Sequence, residues 1–143
     1  MKREIKCKIW DEEQKEFLDP GSENVYWNCE KGVLTAHHYD SNNLWRELIK
    51  VLYTGFKTKD GTEIYEGDIL GSYPHGTAKV IWDDKYGFWS AHWIEQQYDE
   101  DGAEFDIDCT APLYFELSNC KDEWSVLGNV FEHPELLTPT VNP

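Results

Sequence analysis

The side chains best suited to covalent or metal chemistry here are five histidines, His37, His38, His75, His92 and His133, and four cysteines, Cys7, Cys29, Cys109 and Cys120. A Cys–His catalytic pair needs a thiolate with a base in hydrogen-bond reach, and a zinc site needs three or four such side chains converging on one point. The spacing encodes neither. No two cysteines form a C-x-x-C pair, and the adjacent His37 and His38 point to opposite faces if their segment is a strand. The acidic run from Asp99 to Asp108 invites a test for a calcium loop. An EF-hand beginning at Asp99 would put Ala103 at the fifth position and Glu104 at the sixth, where glycine is required. The run therefore reads as a solvated acidic loop leading into a short strand. The expectation is a non-enzyme with no catalytic residue, no metal and no cofactor.

Charge narrows the partners. The chain carries 28 Asp and Glu against 13 Lys and Arg, a net charge of −15. Nucleic-acid affinity comes largely from cations that neutralise phosphates, so direct nucleic-acid binding is disfavoured. No window approaches the ~18 apolar residues of a membrane span, and Met1-Lys2-Arg3-Glu4-Ile5-Lys6 lacks the apolar region of a secretory signal. The expectation is a cytoplasmic chain without membrane contact, its cysteines reduced.

The elements that position these residues are mostly strands. With 143 residues the chain suits one domain, or a domain with a small lobe. Residues 5–10 alternate apolar and charged, and residues 25–27 and 33–37 are β-prone stretches flanking a loop that ends in Gly32, so the start reads as an antiparallel meander. Residues 41–52 are ambiguous. Leu44, Leu48, Val51 and Leu52 follow helical spacing and Ser41 suits a cap, yet residues 49–54 are β-branched and aromatic. A short helix or turn giving way to a strand is expected. Asp60-Gly61 and Gly67-Asp68 mark tight turns, and further strands are expected over residues 77–82, 88–94, 113–117 and 124–131, before a frayed tail. The segment 88–94 has large apolar groups on both faces, Trp89 and Trp93 on one and Phe88 and Ile94 on the other. One face suits the interior, while the other needs a cover, either the N-terminal lobe or a second subunit. Tyr86, Phe88, Trp89 and Trp93 are thus the candidate interaction surface, and a homo-oligomer is expected.

Three stretches together resemble a known family. These are Tyr53-Thr54-Gly55-Phe56-Lys57-Thr58-Lys59-Asp60-Gly61 with Tyr65-Glu66-Gly67-Asp68-Ile69, the downstream Leu127-Gly128-Asn129-Val130-Phe131-Glu132-His133-Pro134-Glu135-Leu136-Leu137, and the opening Arg3-Glu4-Ile5-Lys6-Cys7-Lys8-Ile9-Trp10-Asp11. They look like the YopX family of small phage and prophage proteins. The resemblance implies a mainly β protein with little helix, its N-terminal meander packed on a C-terminal SH3-like β-barrel, and it allows oligomers. The matching division is a lobe over 1–52, a barrel over 53–138 and a tail over 139–143. It carries over no activity and no ligand residue. Its signature, Tyr53, Gly55, Asp60, Gly61, Tyr65, Gly67, Asp68, Gly128, Asn129 and Pro134, reads as structural, since glycines, acids and aromatics suit turns and sheet packing.

Two function classes remain. One is a protein-contact module, in which aromatics such as Trp82, Tyr86 and Trp89 hold an extended peptide of a host or phage protein. The other is an acidic nucleic-acid mimic that blocks a host DNA- or RNA-binding protein. Mimicry should weaken steeply with salt and an aromatic groove should not.

Overall fold

The structure, a computed structural model, describes residues 5–39, 45–72, 76–119 and 124–137. The expected cap at Ser41, together with Leu44, His75, Cys120 and the tail 139–143, lies outside the described residues. The chain divides into two compact units, Met1–Tyr53 and Thr54–Pro143.

The first unit is an antiparallel sheet. Strands β1 (Cys7–Asp11), β2 (Glu16–Leu18), β3 (Val25–Glu30), β4 (Val33–Tyr39) and the long β5 (Trp45–Lys57) lie in the order β2-β1-β5-β4-β3. Ile9, Val25, Ala36 and Leu48 form its core, with Leu18 packed against them. Each fully buried aliphatic side chain contributes about 1.5–3 kcal/mol. The β1–β2 turn is tied back to β5 by charge. Asp11 is 1 % exposed, and its carboxylate accepts from the Glu13 and Gln14 N–H groups and from the Arg46 guanidinium, at 2.6 Å from Nη2 and 3.2 Å from Nε.

Within β5 the described residues 45–52 are strand throughout, so the expected strand begins by Trp45, and residues 41–44 of the expected short helix or turn lie outside the described residues. The helix-like spacing has a β explanation. Leu48 and Val51 are both buried although, three residues apart in a strand, they point to opposite faces: Leu48 joins Ile9, Val25 and Ala36 in the core, and Val51 stands opposite Lys8 on the other side.

The second unit begins inside β5 and adds β6 (Glu63–Tyr65), β7 (Asp68–Ser72), β8 (Gly76–Asp83), β9 (Phe88–Tyr98), β10 (Glu104–Pro112), a helix α1 (Leu113–Asn119), β11 (Ser125–Asn129) and a 3-10 helix, Pro134–Leu137. β6 pairs with β5, and the buried Thr54 hydroxyl donates to the Ile64 carbonyl at 2.7 Å. The other strands form an open antiparallel sheet, β10-β9-β8-β7-β11. The core is Ile64, Leu70, Ala78, Val80, Trp89, Ala91 and Leu113, with Phe56, Trp93, Leu117, Trp124 and Val126 packed against it.

This unit is mainly β as expected, but the sheet does not close into a barrel: β10 and β11 remain as separate edges. Two sequence features act against closure. Pro112 ends β10, since proline offers no N–H to continue a ladder. Residues 113–117, expected as a strand, instead start α1, where Leu113 and Leu117 fall one turn apart on the core side. The acidic run is also more regular than expected. Asp99 Oδ1 accepts from the Asp101 and Ala103 N–H groups, Gly102 takes φ +80°, and the nine-residue β10 then pairs with β9 from Glu104↔Tyr98 to Pro112↔Ser90. Among the described residues no helix is long and apolar enough to cross a membrane.

Candidate interaction site

Across β3, β4 and the start of β5, the first unit carries side chains that its core leaves uncovered, on the sheet side opposite Ala36 and Leu48. Register sets who stands there: Tyr26 faces His37, His37 faces Glu47, and Tyr39 faces Trp45, across β3, β4 and β5. Residues paired in this way project to the same side of a sheet. The rings pack edge to face, except for the tilted Tyr39–Trp45 pair. Trp45 lies 4.9 Å from Tyr26 and 4.9 Å from Tyr39, Tyr26 lies 6.3 Å from Tyr39, and His37 lies 6.4 Å from Trp45, centroid to centroid. Such offsets match the electrostatic preference of aromatic pairs. The cluster nevertheless stays in water, with Trp45 57 % and Tyr26 46 % exposed. An open cavity of about 470 Å³ is lined by Tyr26, Trp27, Asn28, His37 and Trp45. Its volume falls within the range of sites that hold a side chain or a small molecule, roughly 300–1,000 Å³. The Trp27 indole donates to the Pro20 carbonyl at 3.0 Å, which anchors that wall.

The surface expected from sequence divides. Tyr86 and Phe88 stack at 5.8 Å at the β8–β9 turn, with the Lys85 ammonium 5.0 Å from the Tyr86 ring. Trp89 is only 9 % exposed and belongs to the core, with Trp82 edge-on at 5.1 Å. Trp93 packs partly against the same core and donates to Glu95 Oε1 at 3.0 Å. Tyr86 thus stands exposed on a half-buried Phe88, while Trp89 and Trp93 face inward.

The signature residues build turns. Asp60 Oδ1 accepts from the Thr58 hydroxyl and the Thr62 N–H, and Gly61 takes φ +90°. Gly67, at φ +81°, donates to the Val80 carbonyl at 2.8 Å and accepts from the Val130 N–H at 2.8 Å; a Cβ there would sit 3.0 Å from the Phe131 ring. Asp68, buried, accepts from the Tyr65 N–H at 2.8 Å. Asn129 accepts from the Phe131 and Glu132 N–H groups, and Pro134 opens the closing 3-10 helix. At Gly128 a Cβ would approach His133 Nδ1 to 2.6 Å, so backbone and imidazole lie against each other. Tyr53 lies under the Lys6 ammonium at 4.7 Å, and Gly55, at φ +87°, stands in open space inside β5.

The thiols sit apart from one another in sequence and environment. Burial pushes the Cys7 thiol pKa up despite the nearby Lys50 charge, and burial with Glu95 and Asp108 does the same for Cys109. A raised pKa leaves less of the nucleophilic thiolate. His92 Nε2 lies 3.3 Å from Asp108 Oδ1 on the β9–β10 pair. Among the described residues no group of three His, Cys, Asp or Glu side chains is arranged to hold a metal ion.

The aromatic face was not singled out by sequence reasoning, although its parts were visible. Residues 25–27 and 33–37 read as strands, but Trp45 sat in a stretch read as helix or turn, so nothing aligned it with Tyr26 and His37.

A family model described as YopX protein matches residues 4–138. The chain is similar to the crystal structure of protein EF1440 from Enterococcus faecalis, at 23 % identity over 94 % of this chain and 98 % of that one, with a TM-score of 0.41. No curated protein matches it.

Proposed function

The chain belongs to the YopX family, and from that premise we propose that it is a non-enzymatic contact module of the phage or prophage type. It engages a host or phage protein through the aromatic face of its first unit. The observation that carries this reading is Trp45, which packs edge-on against Tyr26 and at a tilt against Tyr39 and still lies 57 % exposed beside an open cavity. Single exposed apolar residues are ordinary on a soluble protein, whereas a contiguous ring cluster marks a contact surface. Tryptophan and tyrosine are also the residues that dominate interface energetics, because they bring large contact area at low entropic cost. The raised pKa values of Cys7 and Cys109 support a non-catalytic role. The unpaired state of Cys7, Cys29 and Cys109 suits the reducing cytoplasm of a host cell.

Self-association belongs to the same proposal. The stacked Tyr86 and Phe88, with the exposed Ile94 on the same strand as Phe88, offer a second apolar surface to another copy. Light scattering over micromolar concentrations tests this part, and a clean monomer sinks it. The docking reading is tested by capture from lysate of the host cell with wild-type and Trp45→Glu chains. The expected result is a partner held by wild type and lost from the variant. Equal capture by both chains contradicts the assignment of the face.

One observation favours a second reading, the acidic mimic. Glu104, Asp106 and Asp108 alternate along the edge strand β10, so their carboxylates share one face. At the strand rise they recur about every 6.8 Å. Mimicry requires partner binding to fall steeply with salt and to vanish when these three are replaced by Gln and Asn, whereas a contact centred on Trp45 survives that replacement.

A further inference from the structure

We propose that the aromatic face receives a cationic side chain, arginine or lysine, from an extended basic segment of the partner. The inference rests on the docking reading above and names its occupant. Its first support is the distribution of charge between the two sides of β3, β4 and β5. Glu47 stands opposite His37, on the side of Tyr26 and Trp45, and Glu30 falls on that side by strand alternation from Tyr26. Arg46 and Lys50 project to the other side, where Arg46 is held by Asp11 and Lys50 donates to the Leu34 carbonyl. Over β3, β4 and the Trp45–Val51 stretch of β5, the aromatic side therefore carries two carboxylates and neither Lys nor Arg; the Lys on that side of β5, Lys57, stands at the strand's far end, twelve residues from Trp45.

The second support is the chemistry of the rings. Indole and phenol faces attract a cation centred within about 6 Å, and a carboxylate next to them adds a directed partner for its N–H groups. This chain uses the same contact internally, with Lys6 over Tyr53 and Lys85 over Tyr86. Guanidinium or ammonium would be drawn toward the protein by its net charge of −15 before any contact forms. A second copy is the weaker occupant, because it would bring Glu30 and Glu47 to a face carrying the same two acids. A neutral peptide would leave those carboxylates beside the contact without a partner.

The test uses the full chain and a short Gly-Ser peptide with arginine at alternate positions. Its control is the same peptide with citrulline, which keeps the shape and removes the charge. Binding is read by calorimetry at physiological ionic strength. The expected result is that the arginine peptide binds about tenfold more tightly than the citrulline peptide. Trp45→Ala and Glu47→Gln should each erase that preference, while the joint Glu104→Gln, Asp106→Asn and Asp108→Asn variant keeps it. Both single sites are exposed, and a Trp45→Phe chain that retains part of the preference guards against a folding artefact. Equal binding of the two peptides overturns the cation while leaving the docking face intact, provided Trp45→Ala abolishes both. Binding lost only in the triple variant overturns the inference in favour of diffuse attraction to β10. Binding of neither peptide also overturns it, and the lysate capture with Trp45→Glu then decides the docking reading separately.

Discussion

The two units use tryptophan in opposite ways. In the second unit Trp89 is 9 % exposed among Val80, Ala91 and Leu113, where its ring fills space between a sheet and a helix. In the first unit Trp45 stands largely in water on a sheet face, although it too touches other rings. The same side chain is thus structural in one place and available in the other. Exposure of a packed cluster, rather than the presence of aromatics, distinguishes a contact surface from a core.

Deleting the two rings should break this comparison most sharply. Trp89→Ala leaves a void inside the second core and is expected to cost about 3–5 kcal/mol in denaturant unfolding. Trp45→Ala should cost about 1–2 kcal/mol, the worth of its ring contacts on an exposed face. Equal losses would mean that Trp45 is also structural, and the face would lose its claim to a partner.

Charge sharpens the contrast from within the first unit. Arg46→Ala leaves the buried Asp11 carboxylate without its fork and should cost about 3 kcal/mol near neutral pH. Burial pushes the Asp11 pKa up, but the Arg46 guanidinium and the Gln14 and Glu13 N–H groups outweigh it and hold the group below its ordinary 3.8. A folded pKa below the unfolded one contributes stability that is present above the unfolded value and lost as pH falls through the folded one. The deficit of Arg46→Ala should therefore shrink on acidification below about pH 4, as protonation removes the stranded charge. A deficit that stays constant from neutral to acid pH would show that the ion pair is not its source.

A smaller effect is expected at the turn between β6 and β7. Gly67→Ala puts a side chain at φ +81° and against Phe131, for an expected loss of about 1–3 kcal/mol. Gly55→Ala, with its own positive φ and open space around it, should cost less than Gly67→Ala. Urea unfolding of both variants checks the order, and its reversal would refute the packing argument at Gly67.

Turns were the most legible part of the sequence. Asp60-Gly61 and Gly67-Asp68 announce themselves through residues whose local chemistry serves one conformation, and both glycines take positive φ. The alternation of residues 77–82 likewise became β8. What the sequence hid was set by distant neighbours. Residues 113–117 are as apolar and aromatic as a strand, and only the stop at Pro112 and the core beside Leu113 select the helix. Barrel closure depends on whether two edges meet, which no local pattern records. The aromatic face needs Tyr26, His37 and Trp45 aligned across three strands, and the burial of both Leu48 and Val51 disguised β5 as a helix face.

The central claim is that partners meet the first unit at Trp45, not the aromatics of the second unit. It is tested most directly by following the indole N–H resonances during titration with the arginine peptide. Saturable movement of the Trp45 signal with an unmoved Trp89 signal is the predicted result. A stationary Trp45 signal, or shifts confined to residues around Tyr86 and Trp89, would contradict it.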